Sequence, residues 1–423
     1  MHPCLQLSAT ALAQQYRAGE LRAIDVINAH IEHIRRINPD VNALVQTRFE
    51  DARSEARLAD QRFRSGALAP LPPLLGIPCT LRENFAMTGF EQTAGLGSCR
   101  GRMAVMDAPV VQRLRAAGAI VLGVTNISDS NMSLDTRNGV YGLTGNAYDS
   151  HRVAGGGSGG EAVMVGSGAS VFGLGADMGG SLRLPACLNG IFAHKPGPGL
   201  ISNTGLQPAS LGELDPAITS VGPLARTAKD LVMLMHILVE PEARIEDAES
   251  VGLATLRVIN IPDNSRQRIP QEQQSLQREA MQHLQVMGCL TSELRLPAFR
   301  DAWLVWSAYL ADMAHKQAGD ANVADEIGTL RKLLDLPLVN RAQNLPALMS
   351  ALADRLPLPR DNYLVRGQTM RDQLLELIRD DGVLLMPTYQ GVAPRRQWPL
   401  LSRQAFAYTV LFNLFGFPVT QVP

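Results

Sequence analysis

Stretches with charges at helical spacing alternate along this chain with short runs that are apolar throughout. "SATALAQQYRAGE" is expected to be helical, with Ser8 as its cap and Gly19 as its stop. A second helix is predicted from about Arg22 to Asn38, ending ahead of Pro39. "EDARSEARLADQRFRSG" supplies a third, Ala-rich helix, and "LAPLPPLLGIP" then leads into a short strand near "PCTL". "DAPVVQRLRAAGAIVLGVTN" reads as helix, a stop at Gly118 and a buried strand, a common α/β unit. "LRVINIPDN" followed by "QEQQSLQREAMQHLQVMG" repeats strand then helix, and "DGVLLMPTYQG" is a further buried strand. From about Pro241 to Arg379 the chain lacks glycine motifs and is mostly helix-patterned, which reads as an insertion shaping one side of a site. The predicted class is α/β, a mixed β-sheet core flanked by α-helices. No internal repeat or low-complexity tract interrupts it.

Composition narrows the function classes. The 423 residues are 46% hydrophobic and 19% charged, enough for a sizeable core and against wholesale disorder. A net charge of −1 without a basic block argues against a nucleic-acid or membrane-surface partner. The N-terminus carries no signal-peptide pattern, and no run approaches the ~18 apolar residues of a membrane span. A cytoplasmic protein is therefore expected. The five cysteines are scattered, odd in number and without metal-site spacing, so free thiols, no metal and no cofactor are expected.

Candidate chemistry concentrates in two glycine-rich loops. In "AGGGSGG", residues 154–160, Gly155, Gly157 and Gly160 match a dinucleotide-binding spacing, with Asp177 near the distance of a ribose ligand. Gly156, Ser158 and Gly160 match a nucleophile elbow. Both patterns need a preceding strand, and the polar "NAYDSHRVA" stands there instead. A phosphate-cradling loop needs lysine after its last glycine, and this chain has Glu161. In "GADMGGSLRLPACLNGIFAHKPG", residues 175–197, Ser181 follows Gly179 and Gly180. Paired glycines let backbone N–H groups turn toward one point, where they could hold the oxyanion formed by a serine nucleophile. A plain glycine turn with a solvent-facing serine is the alternative.

Taken together, "RVAGGGSGGEAVMVGSGASVFGLGADMGGSLRLPACLNGIFAHKPGPGLIS" closely resembles the signature region of the amidase signature family. "LLGIPCTLRENFAMTG", "RLRAAGAIVLGVTN", "VYGLTGNAYD", "GVLLMPTYQG" and "LFNLFGFPVTQVP" extend the likeness over nearly the whole chain. The resemblance implies one amidase-signature domain over 1–423, with the helical insertion at about 240–380 and a C-terminus shorter than usual for the family. It implies a serine nucleophile at Ser181, oxyanion donors at the N–H groups of Met178, Gly179, Gly180 and Ser181, and bracing of that loop by Asp177 and Arg183. The edge strand near the C-terminus is expected to be covered by a second copy or a small partner.

Family members activate the nucleophile through a cis-serine and a neutral lysine, and here the pattern departs. The cis-serine position is Gly157, Ser158 matches the second serine of the pair, and the lysine position is Arg82. Misalignment does not explain this, because the first lysine in the chain is Lys195, followed only by Lys229, Lys316 and Lys332. Arginine stays protonated and cannot replace the base. Glu83, Glu161, His151 and His194 are candidate substitutes, each also readable as a structural or surface residue. Arg82 itself reads either as a fork for an anionic small-molecule ligand or as half of a structural ion pair with Glu83, Glu161 or Asp177. The expected function is acyl hydrolysis or transfer on an amide, ester or thioester by an altered mechanism. The alternative is an inactive pseudoamidase that binds a ligand or partner. On the sequence alone, Arg82→Lys with Gly157→Ser is expected to restore part of the proton path.

Overall fold

A computed structural model of the chain describes residues 2–65, 70–128, 135–207, 218–265, 269–318, 360–396 and 406–423. Lys332 and the middle of the predicted 240–380 helical stretch lie outside them. The chain divides into two compact units, one built from residues 1–244, 393–398 and 416–423, the other from 245–392 and 399–415.

The first unit opens with helices α1 (Ala9–Arg17), α2 (Ala23–Val41) and α3 (Phe49–Arg64), separated by strand β1 (Leu44–Thr47). Ser8 caps α1 by accepting from the Ala11 N–H, as its position predicts. Helix α2 runs past the expected stop: Pro39 lies inside its last turn, and Asn42 ends it in the left-handed region at φ 49°. The Asn38 side chain accepts from the N–H groups of Ala43 and Leu44, anchoring the chain beyond the proline. A proline so close to a helix end removes one backbone bond without breaking the helix.

Strand β2 (Pro78–Arg82), helix α4 (Pro109–Ala116) and strand β3 (Ile120–Thr125) follow, then the short strands β4 (Arg137–Asn138) and β5 (Gly142–Leu143). Helix α5 (Gly159–Gly166), strand β6 (Phe172–Asp177), helix α6 (Arg183–Leu188), strands β7 (Phe192–Lys195) and β8 (Ser220–Ala225) and helix α7 (Ala228–Leu238) complete the unit, with a last strand β12 (Val419–Gln421). One seven-stranded sheet has the order β1-β3-β2-β6-β8-β7-β12. Strand β2 pairs in parallel with both β3 and β6, whereas β8 pairs antiparallel with β6 and β7. The sheet is therefore mixed and flanked by helices, the α/β class expected from the sequence.

Its centre is covered by α5, whose residues from Gly159 to Val165 are all buried. Ala162 and Val165 of α5 join Leu182, Ala186, Ile191, Ala193 and Leu224 in one apolar cluster. Burying a leucine there contributes about 1.5–3 kcal/mol, so the helix bearing the first glycine loop is firmly seated.

The second unit holds a three-stranded parallel sheet, with β9 (Arg257–Asn260) flanked by β10 (Leu290–Glu293) and β11 (Gly382–Leu385). Helices α8 (Gln271–Val286), α9 (Ala302–Ala318), α10 (Arg360–Ile378) and α11 (Val410–Leu414) belong to it. The strand-then-helix reading at 257–286 and the strand read in "DGVLLMPTYQG" fall on these elements, but β11 is not the buried strand expected: it lies at the sheet edge with Val383 exposed.

Candidate active site

Three chain segments end at the same place: the C-terminal end of β2, the N-terminus of α5 and the C-terminal end of β6. Arg82 is the last residue of β2 and is 1% exposed. Its Nη1 donates to the Ala176 carbonyl at 2.7 Å and to Ser158 Oγ at 3.2 Å. Ser158 stands at the start of α5, and its backbone N–H donates to the Ser181 carbonyl at 3.1 Å. Burial depresses the Arg82 guanidinium to about 10, while the negative charges of Asp177, Glu83 and Glu161 oppose the fall. It therefore remains a cation at neutral pH.

Gly157 lies between Arg82 and Ser181. A Cβ built on it would stand 2.5 Å from Ser181 Cβ, 2.8 Å from Ser181 Oγ and 3.3 Å from Arg82 Nη2. The structure thus brings together Ser181, Gly157 and Arg82, which the sequence singled out from separate motifs. Gly157 also has φ +73°, a region L side chains rarely adopt. A serine side chain at 157 would therefore collide with Ser181 as it stands, which bears against the expectation that Arg82→Lys with Gly157→Ser restores part of the proton path. The Gly157 N–H donates to Ser128 Oγ at 3.2 Å, which fixes the loop from the β3 side.

The second loop is held by charge. Asp177 and Arg183 are fully buried, with Nε to Oδ2 at 2.9 Å and Nη2 to Oδ1 at 3.0 Å. The same carboxylate accepts from the Gly180 N–H at 2.7 Å and the Leu182 N–H at 3.1 Å. The bracing roles suggested for Asp177 and Arg183 correspond to this geometry. Gly180 does not fit the oxyanion role suggested for it, because its N–H points at Asp177. Met178, Gly179 and Ser181 are half-buried at the open side of the loop.

None of the candidate substitute bases has the geometry of a free base. Glu83 accepts from the Thr93 N–H and Oγ1, the Ala94 N–H and the Tyr141 hydroxyl, while burial raises its pKa. Glu161 accepts from Thr80 Oγ1 at 2.7 Å and Thr125 Oγ1 at 2.8 Å, and burial pushes it up to about 8. His151 is exposed. His194 Nδ1 lies 2.9 Å from Thr420 Oγ1, and burial lowers its pKa to about 4.

Several neighbours went unnoticed in the sequence. Thr80, Thr125 and Ser128 are ordinary residues until the strands meet under α5. Lys195 is 1% exposed and donates to the Pro196 carbonyl at 3.0 Å and to Ser220 Oγ at 3.5 Å. Burial, with Arg183 nearby, lowers it to about 7. Its place as the first lysine of the chain was visible, but its burial beside Arg183 and Asp177 was not. Among the described residues no group of His, Cys, Asp and Glu side chains could hold a metal ion, and no helix is long and apolar enough to cross a membrane.

Comparison with known proteins adds an independent line. A family model described as Amidase matches residues 25–423. Fatty-acid amide hydrolase 2-A of Danio rerio is 34% identical over 442 residues, covering 100% of this chain and 83% of the relative. Fatty-acid amide hydrolase 2 of Homo sapiens is 32% identical over 443 residues, with 100% and 83% covered. A crystal structure of an amidase superposes with a TM-score of 0.77 at 26% identity, covering 99% of this chain and 92% of the other. A fatty acid amide hydrolase structure shares the fold with a TM-score of 0.80 at 24% identity, covering 99% and 74%. Since sequence and fold agree over nearly the whole length, this chain belongs to the amidase signature family.

Proposed function

We propose that this protein is a divergent amidase-family acyl hydrolase or acyltransferase in which Ser181 is the nucleophile and the lysine–serine proton path is absent. The observation that carries the reading is the convergence at Gly157: a half-buried serine on one side, a buried arginine on the other, and no side chain between them. Arg82 contributes fixed positive charge where an oxyanion or a developing alkoxide forms. The backbone N–H groups of Met178 and Ser181 are the oxyanion donors in this reading, and Gly180 is not.

With an aryl ester, Ser181 Oγ bonds to the acyl carbon and the bond to the phenolate breaks. The hydroxyl proton leaves to solvent, and water then cleaves the acyl-serine and restores Ser181. General-base assistance is worth about 10²–10⁴ in rate, so its loss falls hardest on amides, whose leaving group needs a proton. Activated esters and thioesters are therefore the favoured substrates, although the related proteins are named for amides.

Intact-mass analysis after treatment with a fluorophosphonate tests this. Wild type should gain one adduct that Ser181→Ala does not, and p-nitrophenyl esters should be hydrolysed far faster than the matching anilides. A wild type that takes no label replaces this reading with the pseudoamidase, in which the same pocket only binds.

A further inference from the structure

The proposed chemistry makes no use of Glu161, yet this carboxyl group sits where the site is assembled. It lies in the first turn of α5, fully buried, and accepts from Thr80 on β2 and Thr125 on β3. Thr80 and Arg82 are two residues apart on one strand and so share a face. On the neighbouring strand, Gly173 makes room: a Cβ there would stand 1.9 Å from Glu161 Oε2. Ser158, at the start of the same helix, meets both Arg82 and the Ser181 carbonyl.

We propose that Glu161 is a positioning residue, whose carboxyl group locks β2 and β3 under α5 and whose charge state sets the field that Arg82 projects toward Ser181. The last part rests on the reading of Ser181 as nucleophile and Arg82 as fixed cation. The elements packed against α5 supply the surrounding charges. Strand β2 brings Arg82 and Cys79, β6 ends in Asp177, and α6 carries Arg183 and Cys187. Strands β3 and β8 bring no titratable side chain. Asp177 and Arg183 are paired with each other, and burial keeps both thiols protonated, so Arg82 is the charge to which Glu161 responds.

Burial holds the Glu161 carboxyl protonated up to about pH 8, while the threonine hydroxyls and Arg82 favour its ionised form. An unfolded chain releases that proton near pH 4.5. Between those values the folded state binds more protons, so the stability this group contributes falls as pH rises and levels off beyond about 8. Once ionised, Glu161 offsets part of the positive field of Arg82.

The test compares wild type with Glu161→Gln in thermal melts from pH 5 to 9.5, alongside fluorophosphonate labelling rates. The variant should gain on wild type in Tm from pH 5 to 8 and hold the gain above that. It should label like wild type at pH 6.5 and several-fold faster at pH 9.5. In the Arg82→Gln background the levelling point should move to higher pH, and in Arg82→Lys it should stay. If Glu161→Gln does not fold, Thr80→Val serves in its place and should move the levelling point of the otherwise wild-type protein upward. Parallel Tm profiles for wild type and Glu161→Gln, or a levelling point indifferent to Arg82, overturn the proposal. Absence of label at every pH overturns the nucleophile reading, while the Tm profiles still decide the charge state of Glu161 and its coupling to Arg82.

Discussion

The two glycine loops of the site are shaped by different forces. The loop at 155–160 is steric: Cβ atoms at Gly155, Gly159 and Gly160 would stand 2.5 Å from Pro185 Cα, 2.0 Å from Thr136 Oγ1 and 2.4 Å from the Asn126 carbonyl oxygen. The loop at 177–183 is electrostatic, with one buried carboxylate gathering a guanidinium and backbone N–H groups. The steric loop tolerates no added atom, whereas the electrostatic loop tolerates no lost charge. At Gly157 the two loops touch: a Cβ added there would stand 2.5 Å from Ser181 Cβ.

Removing charge from the second loop should have the largest effect. Asp177→Ala leaves Arg183 buried without its carboxylate, and such a break costs about 3–5 kcal/mol. Urea unfolding should show that loss, and Ser181 labelling should disappear with it. Unchanged stability would mean that packing, not charge, holds the loop.

Adding atoms to the first loop comes next. Gly160→Ala and Gly157→Ser should each cost about 1–3 kcal/mol by overpacking. For the same reason Arg82→Lys with Gly157→Ser should hydrolyse aryl amides no faster than Arg82→Lys alone. A double mutant with clear amidase activity would show that Ser181 can recede from Gly157 and reopen the relay.

Lys195 offers a smaller, pH-resolved test of the charged side. Its amine is lowered to about 7 from 10.5, so between those values the unfolded chain holds a proton that the folded chain lacks. Stability from this group therefore rises with pH across that interval. Lys195→Met should remove the rise, gaining more Tm over wild type at pH 6 than at pH 10. Equal gains at both pH values would place the lysine in a wetter environment than its burial indicates. The smallest effect belongs to the exposed pair Arg22–Asp25, whose side chains are 68% and 49% exposed. Arg22→Ala should leave the urea midpoint unchanged, because solvent screens such pairs.

What the sequence determined by itself was local or compositional. Glycine spacing, the isolated Ser181, the absence of any lysine before Lys195 and the strand at Pro78–Arg82 are written in consecutive residues, and they sufficed for the family and the α/β class. Even there, α2 ran through Pro39, because a proline in a last turn removes little. Tertiary structure decided everything that depends on distance through space. Whether the Gly180 N–H faces a ligand or Asp177, whether a side chain at 157 would collide with Ser181, and whether Glu161 and Lys195 carry charge all turn on neighbours remote in sequence. The physical reason is that backbone preference acts over a few residues, whereas desolvation, close approach and Coulomb interaction act only once the strands, α5 and the loops have been packed together.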